Sequence, residues 1–321
     1  MLFQTAIPLS NRRPRNALMD AITIRDVTKS YGSQVAVDNL SLDVPRGSLY
    51  GFIGPNGSGK TTMLRMIMNI LLPDRGDIAV LGERDTRTAR DRVSYLPEER
   101  GLYKKMSVRR LLRYYGRLKG MRAAPLDAAI GTWIERMGLS EAIDKKVDAL
   151  SKGMAQKVQF IASVVAAPEL LILDEPFTGL DPINREVLKD AVLDLRRAGT
   201  TIVFSTHDMA VAESLCDRIF MIFQGRKVLD GTLDEIQDEY GTDTIRLRTA
   251  DGARALDGLA DVESVTDSGN VQDVRWSGDP QDLLRELLAR TEVYHFEITR
   301  PSLNDIFVRI ANPEPESVTR A

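Results

Sequence analysis

The 321 residues are 43% hydrophobic and 28% charged, with a formal net charge of −3. That balance describes a globular chain long enough for one large domain or two ordinary ones. It excludes several classes: no run approaches the ~20 apolar residues of a membrane-spanning helix, the single cysteine, Cys216, rules out an internal disulfide and suits the cytosol, and an acidic chain without a dominant basic face is a poor nucleic-acid binder.

Residues 1–18 read as a disordered leader. A short apolar patch precedes Arg12-Arg13-Pro14-Arg15, the reverse of a secretory signal, and Met19 stands directly before the first strand pattern as a candidate start. Residues 21–28 alternate as a strand, and 35–44 form a second, closed by the turn signal Pro45-Arg46-Gly47. A short apolar strand over 48–53 runs into a glycine-rich segment. A helix is expected over 61–72, ending at Pro73. Residues 107–119 read as a basic amphipathic helix, with Val108, Leu111, Leu112, Tyr115 and Leu118 on one face and Arg109, Arg110, Arg113, Arg117 and Lys119 around it. A buried strand at 170–173 ends in Asp174-Glu175, a helix covers 184–197, and another buried strand covers 200–205. Alternating strands and helices imply an α/β core.

Acidic residues cluster before Tyr240-Gly241, where a domain boundary is expected. Residues 240–321 carry a net −6 against +3 for 1–239. The remainder reads strand (243–249), helix (253–259), strand (262–267), strand (271–276), helix (279–289), strand (293–299), helix (302–310). That order fits a small α+β domain, with the ferredoxin-like fold as a candidate. The tail after Asn312 has two prolines and is expected to be loose.

Three segments carry chemistry. In Gly54-Pro55-Asn56-Gly57-Ser58-Gly59-Lys60-Thr61 the glycines leave room for backbone N–H groups to converge on phosphate oxygens. The helix N-terminus at Lys60-Thr61-Thr62 adds positive potential. Lys60 would reach the β- and γ-phosphates, and the Thr61 hydroxyl would hold Mg²⁺. Leu170-Leu171-Ile172-Leu173-Asp174-Glu175 places two carboxylates at the edge of a parallel sheet where ligands sit. Asp174 would serve the metal, and Glu175 would act as general base on water. His207 follows a buried strand and is read as a γ-phosphate contact; His295, without an evident partner, is read as structural.

Tyr31, the glycine loop, Leu150-Ser151-Lys152-Gly153-Met154, Asp174-Glu175-Pro176, Gly179-Leu180-Asp181 and His207 occur in an order and spacing that resembles ATP-binding-cassette (ABC) ATPases over about residues 21–230. Among such ATPases the chain is most similar to subunits of bacterial sodium-efflux and drug-export systems. Those carry a small C-terminal domain ending in a sequence like Pro301-Ser302-Leu303-Asn304-Asp305-Ile306-Phe307, which extends the resemblance to about residue 311.

The resemblance implies a phosphate-loop α/β fold with an antiparallel β subdomain and a helical subdomain over 19–235, followed by the accessory α+β domain at 240–312 and a loose tail at 313–321. It implies ATP and Mg²⁺ as ligands. Tyr31 would stack on adenine. Ser151 and Gly153 would touch the γ-phosphate held by an opposite subunit, and Asp181 would lie near that partner's site. Each ATP would then be shared with a second ATPase subunit, a second copy or a relative. The chain would drive a separate integral-membrane permease from the inner face of the cell membrane. Arg109, Arg113 and Arg117 would meet that permease or anionic headgroups, against the alternative of a solvated basic face.

Two departures stand out. Lys152-Gly153-Met154 replaces the usual Gly-Gly-Gln, and Glu98, in Tyr95-Leu96-Pro97-Glu98-Glu99-Arg100-Gly101, replaces a glutamine that contacts metal and attacking water. An ionised Glu98 keeps the metal-binding oxygen and loses the donor. Rival readings are a regulatory cassette that binds ATP with little hydrolysis, a soluble cassette acting on ribosomes or DNA, and a phosphate-loop kinase. The last leaves residues 150–154 unexplained.

Overall fold

A computed structural model describes residues 20–84, 86–99, 101–241 and 244–311. The expected leader, Met19, Arg100 and the expected tail lie outside the described residues.

The elements follow in chain order. First come β1 (Ile22–Tyr31), β2 (Gln34–Val44), β3 (Leu49–Ile53), α1 (Lys60–Ile67), β4 (Arg75–Val80) and β5 (Val93–Leu96). Then come α2 (Val108–Leu118), α3 (Ala123–Arg136), α4 (Lys152–Val164), β6 (Leu170–Asp174), α5 (Pro182–Arg197) and β7 (Thr201–Thr206). The rest are α6 (Met209–Leu215), β8 (Arg218–Phe223), β9 (Arg226–Gly231), α7 (Leu233–Glu239), β10 (Thr244–Thr249), β11 (Val262–Asp267), β12 (Gln272–Trp276), α8 (Pro280–Arg290), β13 (Val293–Thr299) and α9 (Leu303–Ala311). Among the described residues no helix is long and apolar enough to cross a membrane.

Two compact units result. Among the described residues, one holds those up to Leu49, Gly57–Ser205 and Gln224–Arg226; the other holds Tyr50–Asn56, Thr206–Phe223 and those from Lys227.

In the first unit, β2, β1 and β4 form an antiparallel sheet. β5, β6 and β7 pair in parallel in that order. Every residue of β6 and β7 is buried, as the unbroken apolar runs require of a parallel sheet covered on both faces. Three helices start on side-chain caps: Ser107 on α2, Ser151 on α4 and Asp181 on α5. Thus the Leu150–Met154 segment opens α4. α5 starts at Pro182, two residues before the expected start, because Asp181 caps it and proline suits a first helical position. Conversely, α1 stops at Ile67 rather than 72: Asn69 takes a left-handed backbone, φ +54°, which ends the helix.

In the second unit, β3 pairs in parallel with β8. The C-terminal sheet has the order β11-β12-β10-β13 with every neighbour antiparallel. That is the ferredoxin-like order. A five-residue 3₁₀ turn, Gly252–Leu256, stands where the first helix was expected. α8 covers the sheet through Leu283 and Leu287, which pack with Ile245, Leu247, Val274 and Trp276. α9 leaves this core and joins another, with Leu303 and Ile306 against Ile53, Ala212, Ile219, Met221, Leu229 and Ile236. The Leu303 N–H donates to Glu213 on α6, and Phe307 stacks edge-on with Phe223 at 5.5 Å. Leu303 is fully buried, so Leu303→Ala should lower the unfolding free energy by about 2–5 kcal/mol in a urea titration. A loss under about 0.5 kcal/mol would show that α9 is not part of that core.

Candidate functional site

The glycine loop joins β3 to α1. Gly54, Gly57 and Gly59 have φ of +148°, +80° and +112°, conformations that side chains resist. A Cβ on Gly57 would meet nothing within 4 Å, so the loop opens onto free space there. Ser58 is buried, and its Oγ has no hydrogen-bond partner among the described residues. Thr61 and Thr62 follow Lys60 in the first turn of α1.

Lys60 is only 6% exposed. Burial holds its ammonium below the usual lysine range, against the opposing pull of Glu175, Asp174 and Glu98. One buried cation and three carboxylates therefore share a locale in the first unit. Asp174 ends β6 at 1% exposure. Its register partner on β7, Ser205, donates to Oδ1 at 2.5 Å, and the Tyr95 hydroxyl donates to Oδ2 at 3.2 Å. Each Asp174 oxygen thus accepts one bond and keeps further acceptor capacity. Burial and Asp174 push the Tyr95 phenol upward, so it stays a donor.

Glu175 takes a left-handed backbone, φ +50°. Such a conformation costs a non-glycine residue about 1–3 kcal/mol and is held by its surroundings. Here the Glu175 N–H donates to both the carbonyl and the hydroxyl of Ser205, at 3.2 and 3.1 Å. The Thr178 hydroxyl donates to Oε2 at 3.1 Å. Sequence reasoning missed Ser205, Tyr95 and Thr178. Only strand register and loop geometry bring them to the acids.

A second cluster joins the N-termini of α4 and α5. Asp181 accepts from the Asn184 backbone N–H at 2.9 Å and from Asn184 Nδ2 at 2.5 Å. These bonds hold the Asp181 carboxyl below the usual range. A Cβ on Gly153 would sit 3.7 Å from the same Asn184 Nδ2. Ser151 and Asp181 are exposed, and Ile183 beside them is 79% exposed.

Tyr31 closes β1 at 49% exposure, with the Lys29 ammonium 5.9 Å from its ring centroid. His207 is exposed and lies in the second unit, in the turn before α6. His295, read as lacking a partner, has its Nε2 3.3 Å from Glu297.

The basic helix needs correcting. Arg109 pairs bidentately with Asp144 at 2.8 and 3.0 Å, and Arg113 with Asp127 at 2.6 and 2.8 Å. Lys119 donates to the carbonyls of Arg90 and Val93. These residues fasten α2 to its neighbours instead of forming a free basic face. Tyr115 and Leu118 also depart from the expected buried face, which consists of Val108, Leu111, Leu112 and Gly116. Leu118 is 60% exposed and, with Met106, Arg110, Tyr114 and Arg117, lines a surface depression of about 790 Å³.

Comparison with known proteins bears on both parts of the chain. The family model described as "ABC transporter" matches residues 37–178, and "ATP-binding protein DrrA1-3-like, C-terminal domain" matches 231–311. A third model, "AAA domain, putative AbiEii toxin, Type IV TA system", matches 144–213. The uncharacterized ABC transporter ATP-binding protein YhaQ of Bacillus subtilis is 41% identical over 89% of this chain and 97% of its own length. Nod factor export ATP-binding protein I of Burkholderia lata is 36% identical over 91% of this chain and 97% of its own. Among solved structures, "Structure of ATP binding subunit of ABC transporter" aligns with TM-score 0.66 at 31% identity, covering 69% of this chain and 93% of that one. CbiO1 of Clostridium perfringens, part of the ABC transporter complex cbiONQ, shares the fold at TM-score 0.61 and 24% identity, covering 70% of this chain and 92% of its own.

Proposed function

This chain belongs to the ABC transporter ATP-binding proteins, and from that membership we propose that it is the ATP-hydrolysing subunit of a membrane exporter. The observation that carries this reading is the buried Lys60 facing Asp174, Glu175 and Glu98 beside an open glycine loop.

The residues fit Mg-ATP. A buried Ser58 hydroxyl with no partner among the described residues and a buried, desolvated ammonium suit a polyanion. Thr61, Glu98 and Asp174 offer hard oxygen donors of the kind Mg²⁺ takes alongside phosphate. When bound, Mg²⁺ neutralises charge on the β- and γ-phosphate oxygens. The Gly54–Thr61 loop and Thr62 cradle the phosphates, and Tyr31 stacks on adenine. Glu175 accepts a proton from the attacking water. The Thr178 hydroxyl donates to its Oε2 and so helps to orient the carboxylate. His207 contacts the γ-phosphate.

Ser151, Gly153 and Asp181 complete the site of a second subunit. Exposed Ile183 next to Asp181 suits a face that is covered in a dimer. ATP binding closes the pair, and hydrolysis reopens it. The depression along α2 receives a cytoplasmic segment of the permease, with Leu118 and Tyr114 as apolar contacts and Arg110 and Arg117 as charges. The chain then works on the cytoplasmic face of the membrane through that permease. Export is favoured because relatives similar over nine-tenths of this chain are described as export ATP-binding proteins. Purification from native membranes in mild detergent should recover an integral-membrane subunit with the chain. Recovery of ribosomes without such a subunit would contradict the transporter role.

A further inference from the structure

Gln159 belongs to none of the segments above. It lies on α4, eight residues past the cap Ser151. At 1.5 Å per residue that is about 12 Å along the helix. Its side chain is 5% exposed. Nε2 donates to two carbonyls, Pro97 O and Glu99 O, both at 3.2 Å. These are the carbonyls of the two residues that flank Glu98. The Gln159 Oε1 is buried and has no partner among the described residues. Packing alone does not favour an amide here. A methionine would fill similar volume without leaving a buried acceptor unpaired. What the amide supplies is a two-point hold on one loop: both N–H groups are used, and both reach the backbone that carries Glu98.

We propose that Gln159 is the positioning residue for Glu98: it staples the flanking carbonyls to α4, fixes where the Glu98 carboxylate stands relative to Lys60 and the metal, and rigidly links that point to Ser151. It rests on the metal-facing role given to Glu98 above. Outer groups that orient metal ligands typically change metal affinity by 10–100-fold when removed.

The test measures the dissociation constant of a non-hydrolysable ATP analogue for the full-length chain, once in EDTA and once in Mg²⁺. The ratio is the metal's contribution to binding. Gln159→Met should reduce that ratio about tenfold or more and leave the EDTA value unchanged. Gln159→Glu, which keeps the shape but turns an oxygen toward two carbonyls, should do the same. Glu98→Ala should also lose the ratio, and the double variant should be no worse than Glu98→Ala alone, because the staple acts through that residue. An unchanged ratio in both Gln159 variants, with Glu98→Ala affected, overturns the staple alone. An unchanged ratio in all three overturns the role of Glu98 as well. A parallel loss in EDTA and Mg²⁺ marks Gln159 as structural and also refutes the proposal.

Discussion

Glu175→Gln is expected to slow steady-state phosphate release by about 10²–10⁴-fold, the contribution of a positioned general base. The amide keeps the volume, and its oxygen can still accept from the Thr178 hydroxyl. The left-handed backbone remains anchored through the N–H to Ser205. Removing a buried negative charge from beside Asp174 and Glu98 also relieves repulsion around the phosphates. The variant should therefore bind ATP at least as tightly as the wild type and accumulate in the closed, ATP-loaded pair. A rate equal to wild type would remove Glu175 from the proton transfer.

Lys60→Met separates binding from folding. Loss of a buried charge partner typically costs about 2–5 kcal/mol, so nucleotide affinity should fall roughly 30-fold or more. Yet the empty chain should not unfold earlier. Burial outweighs the three carboxylates and holds the Lys60 ammonium below its usual range, so the folded state disfavours that charge until phosphate arrives. The thermal midpoint without ligand should stay or rise, and added Mg-ATP should no longer raise it. The sign also sets a pH dependence for the wild type. Binding needs the charged amine, and its pKa in the empty site lies below the ordinary 10.5. ATP affinity should thus decline at a lower pH than an exposed lysine would dictate, with proton uptake on binding. A marked drop in the ligand-free midpoint of Lys60→Met would show that the carboxylates depend on the ammonium for folding.

Much of this was legible in residues 50–62 and 170–175. A phosphate loop is local: glycine positions, the lysine and the helix start are contiguous, so spacing alone states the chemistry. The acids at the end of β6 were equally plain, since four buried apolar residues must emerge somewhere. The supporting groups were not. Ser205 reaches Asp174 only because β7 pairs with β6 in a particular register. Tyr95 comes from β5 on the other side, and Gln159 comes from a helix that a surface pattern would have left as core. The basic helix misled for a related reason. Arg109 and Arg113 look free along α2, but their carboxylates lie 35 and 14 residues away in sequence. In the C-terminal domain the strand order was readable from element order. The departure of α9 to a different core was not, because Leu303 and Ile306 would suit either one.

The central claim is that each ATP is hydrolysed between two chains, with Lys60 and Glu175 from one and Ser151 and Gly153 from the other. Mixing two inactive variants, Lys60→Met and Gly153→Asp, tests it most directly. The space at Gly153 admits a Cβ within the chain, 3.7 Å from Asn184, so Gly153→Asp should fold and still bind ATP. Each variant alone should release almost no phosphate. Mixed at equal concentration, they should regain a measurable fraction of the wild-type rate, because half-and-half pairs contain one intact composite site. No regained rate in a mixture that still pairs, or a wild-type rate from Gly153→Asp alone, would contradict the shared site.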